Sequence, residues 1–222
     1  NLSMPYKQAV IPYLDDLTES ARLIGAVNTV LHQDGLLIGH NTDGIGFFKS
    51  LETLRAFHVR NKRLTILGGG GASTAIIAQA AIDGAKEITI FCRPQSVERT
   101  VVTVQTIAQS TGVSLQVLPN NDSQLLAEHI NNSDLLINGT SVGMDGTSLP
   151  LPATIRFPEE LLVADVIYQP FETPLLKMAN SQGNPTINGL GMLLFQAAEA
   201  FELWTGKEMP TGLIWQLLVQ KN

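Results

Sequence analysis

The run Ile66-Leu67-Gly68-Gly69-Gly70-Gly71-Ala72-Ser73 restricts what this chain can fold into more than any other stretch. A short apolar segment leads directly into four glycines, and apolar residues then recur at helical spacing over residues 73–83. Residues without a Cβ permit a tight turn and close backbone approach, so the run reads as strand, turn, helix. Gly68-x-Gly70-x-x-Ser73 has the spacing of a dinucleotide-binding turn. Gly68 permits the turn, Gly70 leaves room for phosphates, and small Ser73 lets the helix pack close to the strand. Free N–H groups and the dipole at the helix start favour an anion there, which places a pyrophosphate on the turn. A glycine-rich turn that only permits close packing would use the same residues; the flanking strand, helix and second strand favour binding.

The pattern around the turn repeats. Strands are expected at residues 64–67, 87–92, 115–118, 134–138 and 162–167, with helices at 73–83, 96–112 and 123–131. Apolar strands alternating with amphipathic helices give an α/β fold, a doubly wound parallel sheet with helices on both faces. Upstream, residues 16–24 read as a helix capped by Thr18 and stopped by Gly25. Residues 26–31 and 36–40 read as a hairpin turning at Asp34-Gly35, followed by a helix at 44–55 that buries Phe47, Phe48, Leu51 and Leu54. Two helices, 191–205 and 211–220, end the chain. The pattern changes near Gly44 and again near Asn188, where domain boundaries are expected.

Several function classes are disfavoured by composition. A net charge of -6 over 222 residues argues against a nucleic-acid partner, which needs a basic face. The most apolar region, residues 66–82, is broken by glycines and polar residues, so no membrane span is expected. Cys92 is the single cysteine, which rules out an internal disulfide and fits a reducing, cytoplasmic setting. His32, His40, His58 and His129 are scattered and make no metal-ligand pattern, so no metal is expected.

Cofactor preference is read at the end of the second strand of the sheet. An NAD site normally carries Asp or Glu there for the ribose 2′-hydroxyl. This chain has Phe91-Cys92-Arg93-Pro94 with no carboxylate, and the Arg93 guanidinium suits a 2′-phosphate. NADP is favoured, NAD remains possible, and an unliganded surface arginine is the plainer alternative.

Four motifs outside the sheet supply polar groups: NLSMPYK at 1–7, GAVNTV at 25–30, GHNTDG at 39–44 and GLGMLLFQA at 189–197. Singly each is weak: Lys7 fits a surface lysine, Asn28 a satisfied strand amide, and Asp43 a helix cap. Their order and spacing, together with GGGGAS, NGTSVGM at 138–144 and DVIYQP at 165–170, resemble the shikimate dehydrogenase family, including quinate/shikimate dehydrogenases. The resemblance spans essentially the whole chain. It implies a Rossmann-like sheet domain plus part of a smaller α/β substrate domain. Residues 1–43 would belong to the substrate domain, 44–188 to the NADP-binding domain, and 189–222 to helices returning to the substrate domain.

The resemblance implies reversible hydride transfer between NADP(H) and 3-dehydroshikimate or shikimate, in aromatic amino acid (chorismate) biosynthesis. It makes Lys7 the acid/base residue and Asp43 its partner. Ser3, Asn28, Tyr168 and Gln196 join them as substrate contacts. Gly68, Gly69, Gly70, Gly71, Ala72, Arg93, Val166 and Gly189 would hold the cofactor, with Glu19 near the nicotinamide. The expected partners are small molecules, and the expected state is a monomer or homodimer. Ser3 replaces a more usual Thr, and Cys92-Arg93-Pro94 replaces Asn-Arg-Thr, losing a backbone donor at Pro94. Family members also carry residues ahead of the NxSxPxK motif, including a serine-rich clamp for the substrate carboxylate. The chain is therefore expected to be N-terminally shortened. Two alternatives follow: an NAD-preferring quinate/shikimate dehydrogenase, and an inactive cofactor-binding fragment.

Overall fold

A computed structural model describes residues 1–220. The chain opens with α1 (Tyr6–Ala9), a 3-10 turn (Ile11–Tyr13), β1 (Asp16–Leu17) and α2 (Glu19–Ile24). The hairpin β2 (Thr29–Gln33) and β3 (Leu36–His40) follows, then α3 (Asp43–Arg55). β1 pairs parallel with β3, and β2 pairs antiparallel with it, making a small three-stranded sheet in the order β1-β3-β2. Asp34 and Gly35 both take positive φ, 52° and 83°, as a two-residue hairpin requires.

The second sheet contains β4 (Arg63–Leu67), β5 (Glu87–Cys92), β6 (Ser114–Pro119), β7 (Leu135–Asn138), β8 (Leu162–Asp165) and β9 (Thr186–Ile187). Its order is β6-β5-β4-β7-β8-β9, and every pairing is parallel. The helices between and after these strands are α4 (Gly71–Ile82), α5 (Val97–Thr111), α6 (Ser123–Asn131), α7 (Pro174–Ser181), α8 (Leu190–Thr205) and α9 (Thr211–Val219). Strand residues alternate between two cores, as a pleated sheet covered on both faces must. Leu135 and Ile137 of β7 belong to one core with Ile76, Ile77 and Ile107, whereas Leu136 belongs to the other with Leu126, Ile130 and Leu175. The α/β, Rossmann-like reading of the sequence holds.

Several boundaries differ from expectation for identifiable reasons. The helix expected at 16–24 begins only at Glu19, because Asp16 and Leu17 pair with Ile38 and Gly39. Thr18 is its cap, accepting from Ala21 N, and Gly25 closes it at φ 67°. The strand expected to reach residue 167 ends at Asp165, whose carboxylate takes the Ile167 N–H. α7 has no counterpart among the expected helices, although Thr173 caps it and Pro174 sits in its first turn. The two-residue strands β1 and β9 are too short to give a period-2 signal.

Strand order reverses between β4 and β7, and the crevice beyond the carboxyl ends of such strands is where α/β sheets bind ligands. The glycine turn follows β4, the 139–161 loop follows β7, and the 166–173 loop follows β8.

Candidate active site

The glycine turn performs three separate backbone tasks. Gly68 holds φ 97°, a conformation that L side chains rarely adopt. A Cβ on Gly69 would collide with Thr100 of α5, so the turn packs directly on the next helix. Gly70 and Gly71 differ, because a Cβ on either would meet nothing within 4 Å. They open the space over the first N–H groups of α4, a twelve-residue helix. Ser73 is fully buried, and its Oγ donates to Gly139 O at 3.3 Å, tying the helix start to the loop after β7. The helix begins at Gly71 with Gly70 as cap, two residues ahead of the expected start. The turn fits a dinucleotide pyrophosphate: an open cradle that a Cβ would fill lies above a helix start with no side-chain cap.

The start of α3 is wedged between two helices by the glycines of NTDGIG. A Cβ on Gly44 would strike the Ala75 carbonyl of α4, and one on Gly46 would strike the Gln196 backbone of α8. This contact places Asp43, the first residue of α3, where the cofactor helix and the C-terminal helix meet. Asp43 does not act as a helix cap. Its Oδ2 lies 2.5 Å from Lys7 Nζ, and its Oδ1 accepts from Asn28 Nδ2 at 2.8 Å. The same Asn28 nitrogen also donates to Thr42 Oγ1 at 3.0 Å, and Asn28 Oδ1 accepts from Thr42 N and Thr29 Oγ1, each at 3.0 Å. Asn28 is 1% exposed and its amide is engaged on both sides, so within the protein it orients Asp43.

These groups line a cavity of about 480 Å³. Of the residues expected to contact substrate, it brings together Ser3, Lys7, Asn28, Asp43, Tyr168 and Gln196. Ala72, Val166 and Gly189, expected at the cofactor, line the same cavity. Gly189 sits so tightly on the Val166 carbonyl that a Cβ would overlap it. The four glycines of the turn, Arg93 and Glu19 are not part of this lining. Arg93 is exposed directly after β5, and Glu19 is exposed at the start of α2.

Four lining residues lie outside the expected set: Asn1, Leu2, Met192 and Leu193. The sequence carries a usable signal for two of them. Gly189, Met192, Leu193 and Gln196 stand at i, i+3, i+4 and i+7, one face of α8. Reading Gln196 as a site residue therefore implies Met192 and Leu193 as well. Among the described residues no group of three His, Cys, Asp or Glu side chains is placed to hold a metal, and no helix is long and apolar enough to cross a membrane.

An anion cradle at the switch point, beside a lysine–carboxylate pair in a cavity of mixed polar and apolar lining, defines a dinucleotide-dependent oxidoreductase. Comparison with known proteins gives the particular family. The family model for the shikimate dehydrogenase substrate binding domain matches residues 1–30, and that for the shikimate 5'-dehydrogenase C-terminal domain matches residues 189–219. The shikimate dehydrogenase (NADP(+)) of Streptococcus suis strain 05ZYH33 is 82% identical over 221 residues, covering 100% of this chain and 76% of that protein. The crystal structure of Listeria monocytogenes shikimate 5-dehydrogenase, in complex with shikimate and NAD, superposes with a TM-score of 0.93 at 44% identity. That match covers 98% of this chain and 76% of the other. The Thermus thermophilus enzyme, in complex with NADP(H) and shikimate, gives a TM-score of 0.80 at 34% identity, covering 96% of this chain and 74% of that one. The chain belongs to the shikimate dehydrogenase family and is an oxidoreductase.

Proposed function

We propose that this chain interconverts 3-dehydroshikimate and shikimate, with Lys7 and Asp43 as the acid–base pair. The observation that carries this reading is the 2.5 Å contact between Lys7 Nζ and Asp43 Oδ2, on a cavity also lined by Ala72, Val166 and Gly189. Gly68 to Ala72, Arg93, Val166 and Gly189 hold the cofactor, which supplies or accepts the hydride when bound. Glu19 is proposed near the nicotinamide on the strength of the family resemblance.

In ketone reduction the carbonyl carbon gains a hydride and its oxygen gains a proton. Lys7 delivers that proton and returns to the neutral amine; in alcohol oxidation it takes the proton back. An ammonium has three N–H donors, so the one spent on Asp43 leaves two for a substrate oxygen. Its charge stabilises the negative charge that develops there. Asp43 aims the amine at the substrate oxygen, and Asn28 holds Asp43 in turn. Ser3, Tyr168 and Gln196 bind the remaining ring hydroxyls, and Asn28 and Asp43 complete the substrate contacts.

The domain division follows the same reading, with residues 1–43 and 189–222 on the substrate side and 44–188 on the cofactor side. A cytoplasmic location in aromatic amino acid biosynthesis and a monomeric or homodimeric state complete the proposal, and light scattering of the purified chain tests the last. The function itself is tested by initial rates with shikimate and quinate, each with NADP and NAD. Shikimate with NADP is expected to give the highest kcat/KM; a higher value for quinate with NAD overturns the reading.

A further inference from the structure

Among the described residues, Asp165 is the one carboxylate buried to 1% exposure, and the chemistry above makes no use of it. No lysine, arginine or histidine forms an ion pair with it among those residues. Neutral donors surround it instead. Oδ1 accepts from Ile167 N at 3.0 Å, Oδ2 accepts from Thr173 Oγ1 at 2.8 Å, and Asn138 Nδ2 lies 3.1 Å from both oxygens. Burial pushes the Asp165 pKa above the ordinary carboxylate value, and these hydrogen bonds oppose that shift. Burying a charge without a counter-ion costs several kcal/mol, so as a fastening for a core this one is poor. Geometrically it is a strong choice, because one carboxylate ties both ends of the 166–173 loop to the end of β7.

The Ile167 attachment adjoins the cavity lining directly, and the Asn138 attachment reaches the glycine turn. Asn138 ends β7, and its Oδ1 accepts from Thr140 N at 3.1 Å and Thr140 Oγ1 at 2.7 Å. Thr140 in turn backs the glycine turn: a Cβ on Gly68 would lie 2.6 Å from its methyl. Ile167 lies between Val166 and Tyr168, both of which line the cavity. Its carbonyl accepts from Gly189 N at 2.9 Å, which fixes the start of α8. Thr173 closes the 166–173 loop and caps α7 by accepting from Leu176 N.

We propose that Asp165 is a positioning residue, holding Val166 and Tyr168 against the cavity and in register with the glycine turn through Ile167, Asn138 and Thr173. The proposal rests on the function assigned above. Its test compares Asp165→Asn, Thr173→Val and Thr173→Ser in the full chain by steady-state kinetics, with folding followed by circular dichroism. The amide of Asp165→Asn keeps the shape but offers one oxygen to three donors. A buried donor left unpaired costs about 1–3 kcal/mol, so the KM for shikimate is expected to rise about tenfold or more. Because Val166 and Gly189 also hold the cofactor, the KM for NADP should rise too, but by less than that for shikimate, since Gly69 to Ala72 make no hydrogen bond with this network among the described residues. Thr173→Val should raise the shikimate KM as well, and Thr173→Ser, which keeps the hydroxyl, should restore it.

A merely structural role would reduce the amount of folded enzyme and lower apparent kcat with KM unchanged. An unchanged shikimate KM in folded Asp165→Asn overturns the proposal, as does Thr173→Ser being as impaired as Thr173→Val. Should Asp165→Asn fail to fold, the Thr173 pair decides. A wild-type chain that does not oxidise shikimate rejects the assigned function, and this proposal with it; a working wild type with insensitive variants rejects only the positioning role.

Discussion

The cofactor side and the substrate side of the cavity are built on opposite plans. The turn at residues 68–72 is contiguous and works through backbone: each glycine either bends the chain, packs on a neighbour or leaves space. The substrate side works through side chains that are distant in sequence. Lys7 lies on α1, Asn28 precedes β2, Asp43 opens α3, and Gln196 lies on α8. Their convergence depends on helix contacts made elsewhere, above all the seating of Gly44 on α4 and Gly46 on α8. A contiguous backbone site should be sensitive above all to added volume. A dispersed side-chain site should fail when one functional group or one helix contact is changed.

The largest expected effect separates the two halves. Lys7→Ala removes the proton donor and should lower kcat by about 10²- to 10⁴-fold, the range typical of a lost general acid. Because the glycine turn is untouched, the KM for NADP should stay within about twofold. Stopped-flow and steady-state rates with shikimate and NADP measure both. Wild-type turnover would remove Lys7 from the acid–base role and leave the substrate half without its defining group.

Gly46→Ala tests whether the dispersed half depends on helix contact rather than on its functional groups alone. The added methyl meets the Gln196 backbone, and only a shift of α3 or α8 can relieve it. Overpacking of this kind costs about 1–3 kcal/mol. The urea midpoint should fall, and the shikimate KM should rise in the protein that remains folded. An unchanged midpoint and KM would show that the α3–α8 seating is loose and that Asp43 is placed by other contacts.

These two plans also decide what can be read in the sequence. The turn is legible because its glycines, strand and helix are neighbours in the chain, and Gly68 and Gly70 take the places their spacing indicates. The alternating sheet is legible for the same reason, each strand and helix carrying its own period. Asp43 is ambiguous, since an acid ahead of a helix is favoured as a cap whatever else it does, and only the positions of Lys7 and Asn28 show that its oxygens point elsewhere. Met192 and Leu193 read as helix core because they are apolar, and their place on the Gln196 face becomes decisive only with α8 seated against α3. The Asp165 hub is invisible as a hub. Its donors come from residues 138, 167 and 173, and no local period joins them.

Gly70→Ala sharpens the contrast from the cofactor side. Gly70 has φ -84° and extended backbone, so alanine fits without strain, and its Cβ meets no neighbour. Thermal stability should be unchanged. The methyl nevertheless enters the space above the first turn of α4, and the KM for NADP should rise about tenfold, equivalent to about 1.4 kcal/mol. The shikimate KM should not follow. Equal KM values for NADP in wild type and variant would place the pyrophosphate away from Gly70.

The smallest effect concerns pH. Residues 68–72 carry no titratable side chain, so the glycine turn itself adds no pH dependence. His40, at the end of β3, is half-buried, and burial lowers its pKa below the ordinary value of 6.5. Glu199 acts in the opposite direction more weakly, its carboxylate being engaged 2.9 Å from Lys49 Nζ. The neutral ring is thus the form that the fold favours. As pH falls through 6.5 the unfolded chain takes up its proton first, and stability declines until the lower folded-state value has been passed. Above 6.5 the contribution is fully present. His40→Gln removes this proton uptake, so its urea midpoint should fall less between about pH 8 and about pH 5.5 than that of the wild type, with no change in the KM for NADP. Parallel midpoint curves for the two proteins would assign the acid sensitivity to other groups.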